Sequence, residues 1–148
     1  MEFYQPKYFR PYELFPQEVW EAHNNRPDEW FWQRWMPQAL YTIDRIRERY
    51  GPTTCNDYHW GGQYQERGYR LPRTTTGASW SMHKFFGAID SKCNDFSAFQ
   101  IREDILADPW CDDFKYITCI EVGPTVTWLH MDFRNWNKTK HGILQVTI

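Results

Sequence analysis

Two histidines and one aspartate are the residues of this sequence best suited to chemistry. His83 and Asp90 lie seven residues apart in the segment SWSMHKFFGAIDSK, and His130 lies in the later segment WLHMDFR. Imidazole nitrogens and carboxylate oxygens are ligands that zinc accepts, and catalytic zinc sites usually take three protein ligands and leave a fourth position open. Spacing alone is weak support, because a histidine in a strand is more often an ordinary half-buried residue. If these three side chains converge, the pattern predicts a mononuclear zinc site.

The segment SMHKFFGAID resembles the S-x-H-x-x-G-x-A-x-D signature of the zinc D-alanyl-D-alanine carboxypeptidases, peptidoglycan peptidases that share a fold with the hedgehog signalling domain. Phe86 stands where that family has glycine, and Gly87 follows one place later. The order of the segments YFRPYELF, RERYGP, NDYHWGGQYQERGYR and WLHMDFRN is similar to that of phage-encoded members and covers nearly the whole chain. Four residues match the signature in register: Ser81, His83, Ala88 and Asp90.

The resemblance implies a zinc peptidase that hydrolyses a peptide bond of bacterial peptidoglycan, as a D,D-carboxypeptidase or an L-Ala-D-Glu endopeptidase. Its zinc ligands would be His83, Asp90 and His130, and its substrate would be the peptidoglycan stem peptide. Such an enzyme would be a phage endolysin or part of a virion, with other virion proteins as further partners. The alternative is a catalytically inactive virion module that keeps the peptidase fold for structure or binding, and Phe86 at the glycine position favours it.

Three residues are predicted to contact the substrate, namely Arg70, Tyr69 and Ser81. The family's middle segment ends in Gly-Tyr-Arg or a similar triplet, which Gly68, Tyr69 and Arg70 match, and the resemblance places the arginine on a substrate carboxylate. A guanidinium grips a carboxylate through two parallel hydrogen bonds. A surface salt bridge is the alternative for Arg70. Ser81, Tyr69 and His59 are all candidates to donate a hydrogen bond to the developing oxyanion.

The general base has two candidates, Glu121 and Asp132. Family members usually carry an acidic residue or a histidine two to six positions before the last zinc ligand, and positions 124–128 contain neither. A four-residue hairpin loop over 123–126 would put Glu121 on the same side of the sheet as His130, whereas a three-residue loop would turn it away. We favour Glu121 as the base, with Asp132 as a residue that orients His130 or Arg134.

Hydrophobic periodicity predicts three helices. The clearest spans 37–50, where apolar residues recur at helical spacing until Gly51-Pro52 stops the run. A proline-punctuated aromatic segment predicts a short helix over about 16–23, and a partly periodic run predicts another over 96–107.

The strand signals are concentrated in the last third of the chain. The runs KYITCIEV and VTWLHMDFR, separated by a Gly-Pro turn, predict a β-hairpin, and GILQVTI could add an edge strand. A strand start over 53–56 is followed by long loops that reach Trp80, and His83 and Asp90 are expected in loops. The expected fold is α+β, a small antiparallel sheet with helices packed on one side and the zinc site on the open face.

Composition limits the other classes of function. A chain of 148 residues predicts one domain over 1–148. A net charge of −2 disfavours nucleic-acid binding, because phosphate recognition needs a concentrated basic surface. No window approaches about 18 apolar residues and no signal peptide is recognisable, so no membrane contact is expected. We expect the protein to stay in the host cytoplasm until release to the cell wall, or to join a virion.

Overall fold

A five-stranded sheet forms the centre of the protein, whose computed structural model describes residues 1–148. The spatial order of the strands is β1-β2-β4-β3-β5, and every neighbouring pair is antiparallel except β3 and β5, which run parallel. The predicted α+β fold with a small, mostly antiparallel sheet is confirmed. The strands are β1 (Thr53–Thr54), β2 (Ala88–Cys93), β3 (Cys119–Val122), β4 (Leu129–Asp132) and β5 (Leu144–Thr147).

Five helices accompany the sheet, and the three predicted from periodicity are confirmed to within two residues. Helix α3 ends where Gly51 takes a φ of 86°, a left-handed conformation that glycine adopts without steric cost. The two unpredicted helices have four or five residues, too few to show a period. None of the helices is both long enough and apolar enough to cross a membrane. The helices are α1 (Gln17–His23), α2 (Asp28–Trp32), α3 (Pro37–Tyr50), α4 (Ala98–Ala107) and α5 (Lys138–His141).

The predicted hairpin is present as β3 and β4, but its loop is longer than four residues. Cys119 pairs with Asp132 and Ile120 with Met131, which shifts the register by two residues from the predicted one. Because side chains alternate with a period of two, a shift of two residues leaves every side chain on its predicted face. The predicted edge strand is also confirmed as β5, which runs parallel to β3.

The prediction that Asp90 lies in a loop is wrong, because Asp90 lies in strand β2. The sequence of β2, AIDSKC, contains one β-branched residue and no regular alternation, so it gives no strand signal. Its pairing with β4 places Asp90 directly opposite His130. The strand is therefore determined by its neighbour rather than by local propensity.

The two faces of the sheet differ in chemistry. On one face, Ile89, Ile120 and Met131 join a core of 22 buried apolar residues that also includes residues of α3 and α4. The opposite face, called here the polar face, carries Asp90 and His130 together with other polar residues of β3 and β4. The helices thus cover one side of the sheet and leave the other side for a functional site.

Lys138 is a buried cation that ties α5 to the segment after α4. Its ammonium donates to the carbonyl oxygens of Pro109 at 2.6 Å, Phe114 at 3.2 Å and Lys115 at 3.1 Å. We expect Lys138→Met to lower the free energy of unfolding by about 1–3 kcal/mol, because the buried carbonyls lose their donor. Urea denaturation would measure the change. Lys140→Met on the same helix is the matched control, and an equal effect of both changes would contradict the prediction.

Candidate metal centre

Three buried side chains converge at the polar face, and they are the residues that the sequence nominated as ligands: His83, Asp90 and His130. His83 Nε2 lies 3.3 Å from both Asp90 Oδ1 and His130 Nδ1. Asp90 Oδ1 lies 2.7 Å from His130 Nδ1. Ligand atoms around a tetrahedral zinc ion are separated by about 3.3–3.6 Å, given bond lengths near 2.0–2.2 Å. Two of the three separations already match, and the third would lengthen by less than about 1 Å.

Each ligand residue is held by a different element of secondary structure. Asp90 and His130 are direct partners across β2 and β4. His83 lies in a 3-10 turn over Met82–Phe85, and the Ser81 hydroxyl caps this turn by accepting from the His83 backbone amide at 3.3 Å. The turn ends at Phe86, which adopts a left-handed φ of 57°. Phe86 therefore takes a conformation that favours glycine, and glycine is the residue at this position of the signature that the segment was predicted to follow.

The two imidazoles are oriented by hydrogen bonds on their outer nitrogens. His83 Nδ1 donates to the Gly68 carbonyl oxygen at 2.7 Å, so its Nε2 presents a lone pair to the other two ligand atoms. His130 Nε2 lies 3.2 Å from Asp132 Oδ2 and can donate to it. Arg134 in turn binds both oxygens of Asp132, with Nε 2.8 Å from Oδ1 and Nη2 2.5 Å from Oδ2. Metal-binding histidines commonly have such outer partners.

The electrostatics of the cluster couple the protonation of its histidines to that of its carboxylates. Burial disfavours an imidazolium, but hydrogen bonds to Asp132 and Asp90 outweigh it and raise the pKa of His130 to about 10. Burial also acts to raise the pKa of Asp90, yet the neighbouring His83 and His130 hold that pKa well below its usual value. One proton can bridge only one pair of these acceptors. A metal ion would satisfy all three ligand atoms together.

Arg70 binds the second oxygen of Asp90 instead of pointing freely into solvent. Its Nη2 lies 3.0 Å from Asp90 Oδ2, and its Nε donates to the Glu66 carbonyl oxygen at 2.7 Å. The side chain is only 11% exposed, so this is not the surface salt bridge considered as the alternative. The contact fixes the direction of Asp90 Oδ1 toward the two histidines. Binding of a substrate carboxylate by Arg70 stays a prediction.

The other predicted substrate contacts lie outside the cavity that adjoins Asp90. Tyr69 stacks on Phe86 with ring centroids 4.0 Å apart, and Ser81 caps the His83 turn. His59 stacks on Tyr12 at 3.7 Å. None of the three candidate oxyanion donors lines the cavity. Their roles toward a substrate stay predictions.

Glu121 and Asp132, the two candidate bases, occupy different positions around His130. The register of β3 and β4, extended by one pair, sets Glu121 opposite His130. Glu121 Oε1 lies 3.5 Å from His130 Nδ1, while its Oε2 accepts from the Trp128 indole N–H at 3.1 Å. Asp132 is fully buried, and hydrogen bonds to His130 and Arg134 lower its pKa to about 2 against the effect of burial. Glu121 is therefore on the metal side of His130, and Asp132 is behind its ring.

A cavity of about 450 Å³ opens beside Asp90. Binding sites for small ligands typically have volumes of about 300–1,000 Å³. Of the cations that line this cavity, the sequence interpretation named Arg70 but missed Arg67 and Lys92. Lys92 was missed because β2 was not recognised as a strand; a strand here would have put Lys92 on the same face as Asp90. Residues that line the cavity include Arg67, Arg70, Asp90, Lys92, Thr127 and Trp128.

The chain matches no protein-family model, no curated protein and no solved structure. Fold and site together define an α+β protein with a buried His-Asp-His group that could bind a metal ion. The resemblance to zinc carboxypeptidases stays a prediction from the sequence motifs.

We expect Asp132→Asn to weaken zinc binding about 10- to 100-fold, because the neutral amide holds the outer nitrogen of His130 less strongly. Competition with a chromophoric chelator would measure the affinity. Asp108→Asn changes an exposed aspartate and is the control. Equal zinc affinity in wild type and Asp132→Asn would show that Asp132 does not support the centre.

Proposed function

We propose that this protein is a zinc-dependent peptidase that hydrolyses a peptide bond in the stem peptide of bacterial peptidoglycan. The observation that carries the proposal is the convergence of His83 Nε2, Asp90 Oδ1 and His130 Nδ1 at 2.7–3.3 Å separations. Two imidazoles and one carboxylate form a donor set suited to catalytic zinc. The outer hydrogen bonds of both imidazoles support the same interpretation, because they leave the inner nitrogens available for a metal.

Zinc, when bound, supplies a Lewis acid that lowers the pKa of water to about 7 and polarises an amide carbonyl. Glu121 is placed to accept the proton at Oε1, since this atom is on the same side of the sheet as the ligand atoms. The Trp128 indole holds the other oxygen of Glu121 and so limits its rotation. Glu121 can return the proton to the leaving amine, as general acid-base catalysis requires.

The charges around the ligands are arranged to keep them in place. Asp90 is bonded by Arg70, and Asp132 is bonded by Arg134, so each of the two aspartates beside a histidine has its own guanidinium. Charge-assisted hydrogen bonds of this kind are about twice as strong as neutral ones. These contacts restrict the movement of Asp90 and His130 before a metal or a substrate binds, which favours a catalytic rather than an adventitious site.

The choice of peptidoglycan as substrate rests on the sequence motifs. Ser81, His83, Ala88 and Asp90 follow the signature of the carboxypeptidases in register, and Gly68-Tyr69-Arg70 matches their middle triplet. The cavity beside Asp90 offers room for part of a stem peptide. The same resemblance supports a phage enzyme that acts in lysis or from within a virion.

We expect purified protein to bind one zinc ion and to release new amino groups from purified peptidoglycan. His83→Ala should abolish both properties, because it removes one of three ligands. Atomic absorption and amine labelling would measure them, and mass spectrometry of the products would identify the bond. His141→Ala, an exposed histidine outside the cluster, is the control. Bound zinc without cleavage would overturn the peptidase and support a non-catalytic virion module.

We expect Glu121→Gln to reduce kcat at least about 100-fold while zinc content stays unchanged, because a general base contributes about 10²–10⁴ to the rate. Glu103→Gln on the exposed face of α4 is the matched control. Full activity of Glu121→Gln would exclude Glu121 as the base. The Asp132→Asn protein, assayed at saturating zinc, would then test the remaining carboxylate.

A further inference from the structure

The cavity beside the metal centre contains two cations that have no carboxylate partner. Lys92 lies two residues after Asp90 in β2, and its exposed side chain lines the cavity without an ion pair or a hydrogen bond. The Arg67 guanidinium lies 3.5 Å from the centre of the Tyr64 ring. Its only hydrogen bond is a long one of 3.5 Å to the Cys55 carbonyl oxygen. Both cations can therefore accept an anionic ligand.

The acidic residues of the same cavity are already engaged. Asp90 is bonded to Arg70 and to the histidines, and the Glu66 carboxylate accepts from the hydroxyls of Thr74 and Thr76. The hydroxyls carry no charge, so Glu66 stays negative. The lining nevertheless has three cations against two carboxylates, which gives it a net charge of +1. A ligand that binds here gains most from a carboxylate, since charge-assisted hydrogen bonds need an opposite charge.

Arg70 is poorly placed for this role, although the sequence motif assigned it. Its Nη2 is bonded to Asp90 and its Nε to the Glu66 carbonyl, so one of its two parallel donor pairs is divided between two other acceptors and only the Nη1 side remains open. Capture of a substrate carboxylate by these donors would release Asp90 from its guanidinium. Lys92 carries no such cost, because its ammonium has no protein partner.

We propose that Lys92, assisted by Arg67, binds a carboxylate of the substrate beside the scissile bond. The proposal rests on the function given above, since the scissile bond is placed by the metal centre. Residues i and i+2 of a strand are about 6.6–6.8 Å apart, and a peptide advances about 3.3–3.6 Å per residue. The carboxylate recognised by Lys92 is therefore within about two residues of the bond that is cut.

The first test is the binding of a synthetic stem pentapeptide by the zinc-loaded Glu121→Gln protein, followed by isothermal titration calorimetry. The same peptide with its glutamate α-carboxylate and its C-terminal carboxylate converted to amides is the comparison ligand. We expect the free acid to bind about tenfold more tightly than the diamide, because one charge-assisted contact is lost in the diamide. The two monoamides identify which carboxylate is recognised.

Further substitutions in the Glu121→Gln protein then test whether Lys92 causes the preference for the free acid. Lys92→Met should reduce the preference for the acid to less than about twofold, and Lys92→Arg should retain most of it. Lys140→Met, far along the chain in α5, is the control and should keep the full preference. Should Lys92→Met fold poorly, Lys92→Gln provides the same loss of charge with a polar side chain.

In steady-state assays on the otherwise native chain, Lys92→Met should raise KM about tenfold and change kcat less than about threefold. An undiminished acid preference in Lys92→Met, or no preference in the parent protein, would overturn the role of Lys92. Cleavage by Lys92→Met with an unchanged KM would also overturn the role of Lys92, but it would leave the proposed peptidase activity standing. A Lys92-dependent preference without any cleavage would keep the binding role and remove the peptidase.

Discussion

The pairing of β2 with β4 is the constraint on which the site depends. It sets Asp90 and His130 directly opposite each other, so that a carboxylate oxygen and an imidazole nitrogen meet at 2.7 Å on a buried surface. Such a pair is costly to bury without further partners, because unpaired polar groups in a low dielectric lose the hydration they had in water. His83, Arg70 and Asp132 are arranged around the pair in a way that meets this requirement.

The contacts on the outer side of the cluster differ in role from the ligand atoms on its inner side. Outer contacts orient the ligands: the Gly68 carbonyl holds His83, and Asp132 with Arg134 holds His130. Inner atoms remain directed at one another, which is the arrangement that a bound metal ion would need. A network of this kind is rigid when every member has a partner, and rigidity is what a catalytic constellation needs.

The charged residues of the cavity also divide into paired and unpaired groups. Arg70 and Asp90 neutralise each other at the wall next to the ligands. Lys92 and Arg67 line the same cavity without a carboxylate partner, and the cavity's three cations outnumber its two carboxylates, so that a ligand entering it meets a net positive surface. Metal centre and cavity therefore have separable roles in the proposed peptidase. One activates the scissile bond, and the other selects the peptide that presents it.

The sequence by itself determined the helix over 37–50 and nominated the three clustered residues, because the helix follows from local periodicity and the residues from short motifs. The faces of the hairpin depended on a loop length that the sequence left open. The sequence did not reveal β2, whose residues lack strand propensity and become a strand only through pairing with β4. Without β2, neither the exact partner of His130 nor the place of Lys92 could be deduced. The ion pair between Arg70 and Asp90 could not be predicted either, because a contact between residues 20 positions apart depends on the tertiary fold of the chain.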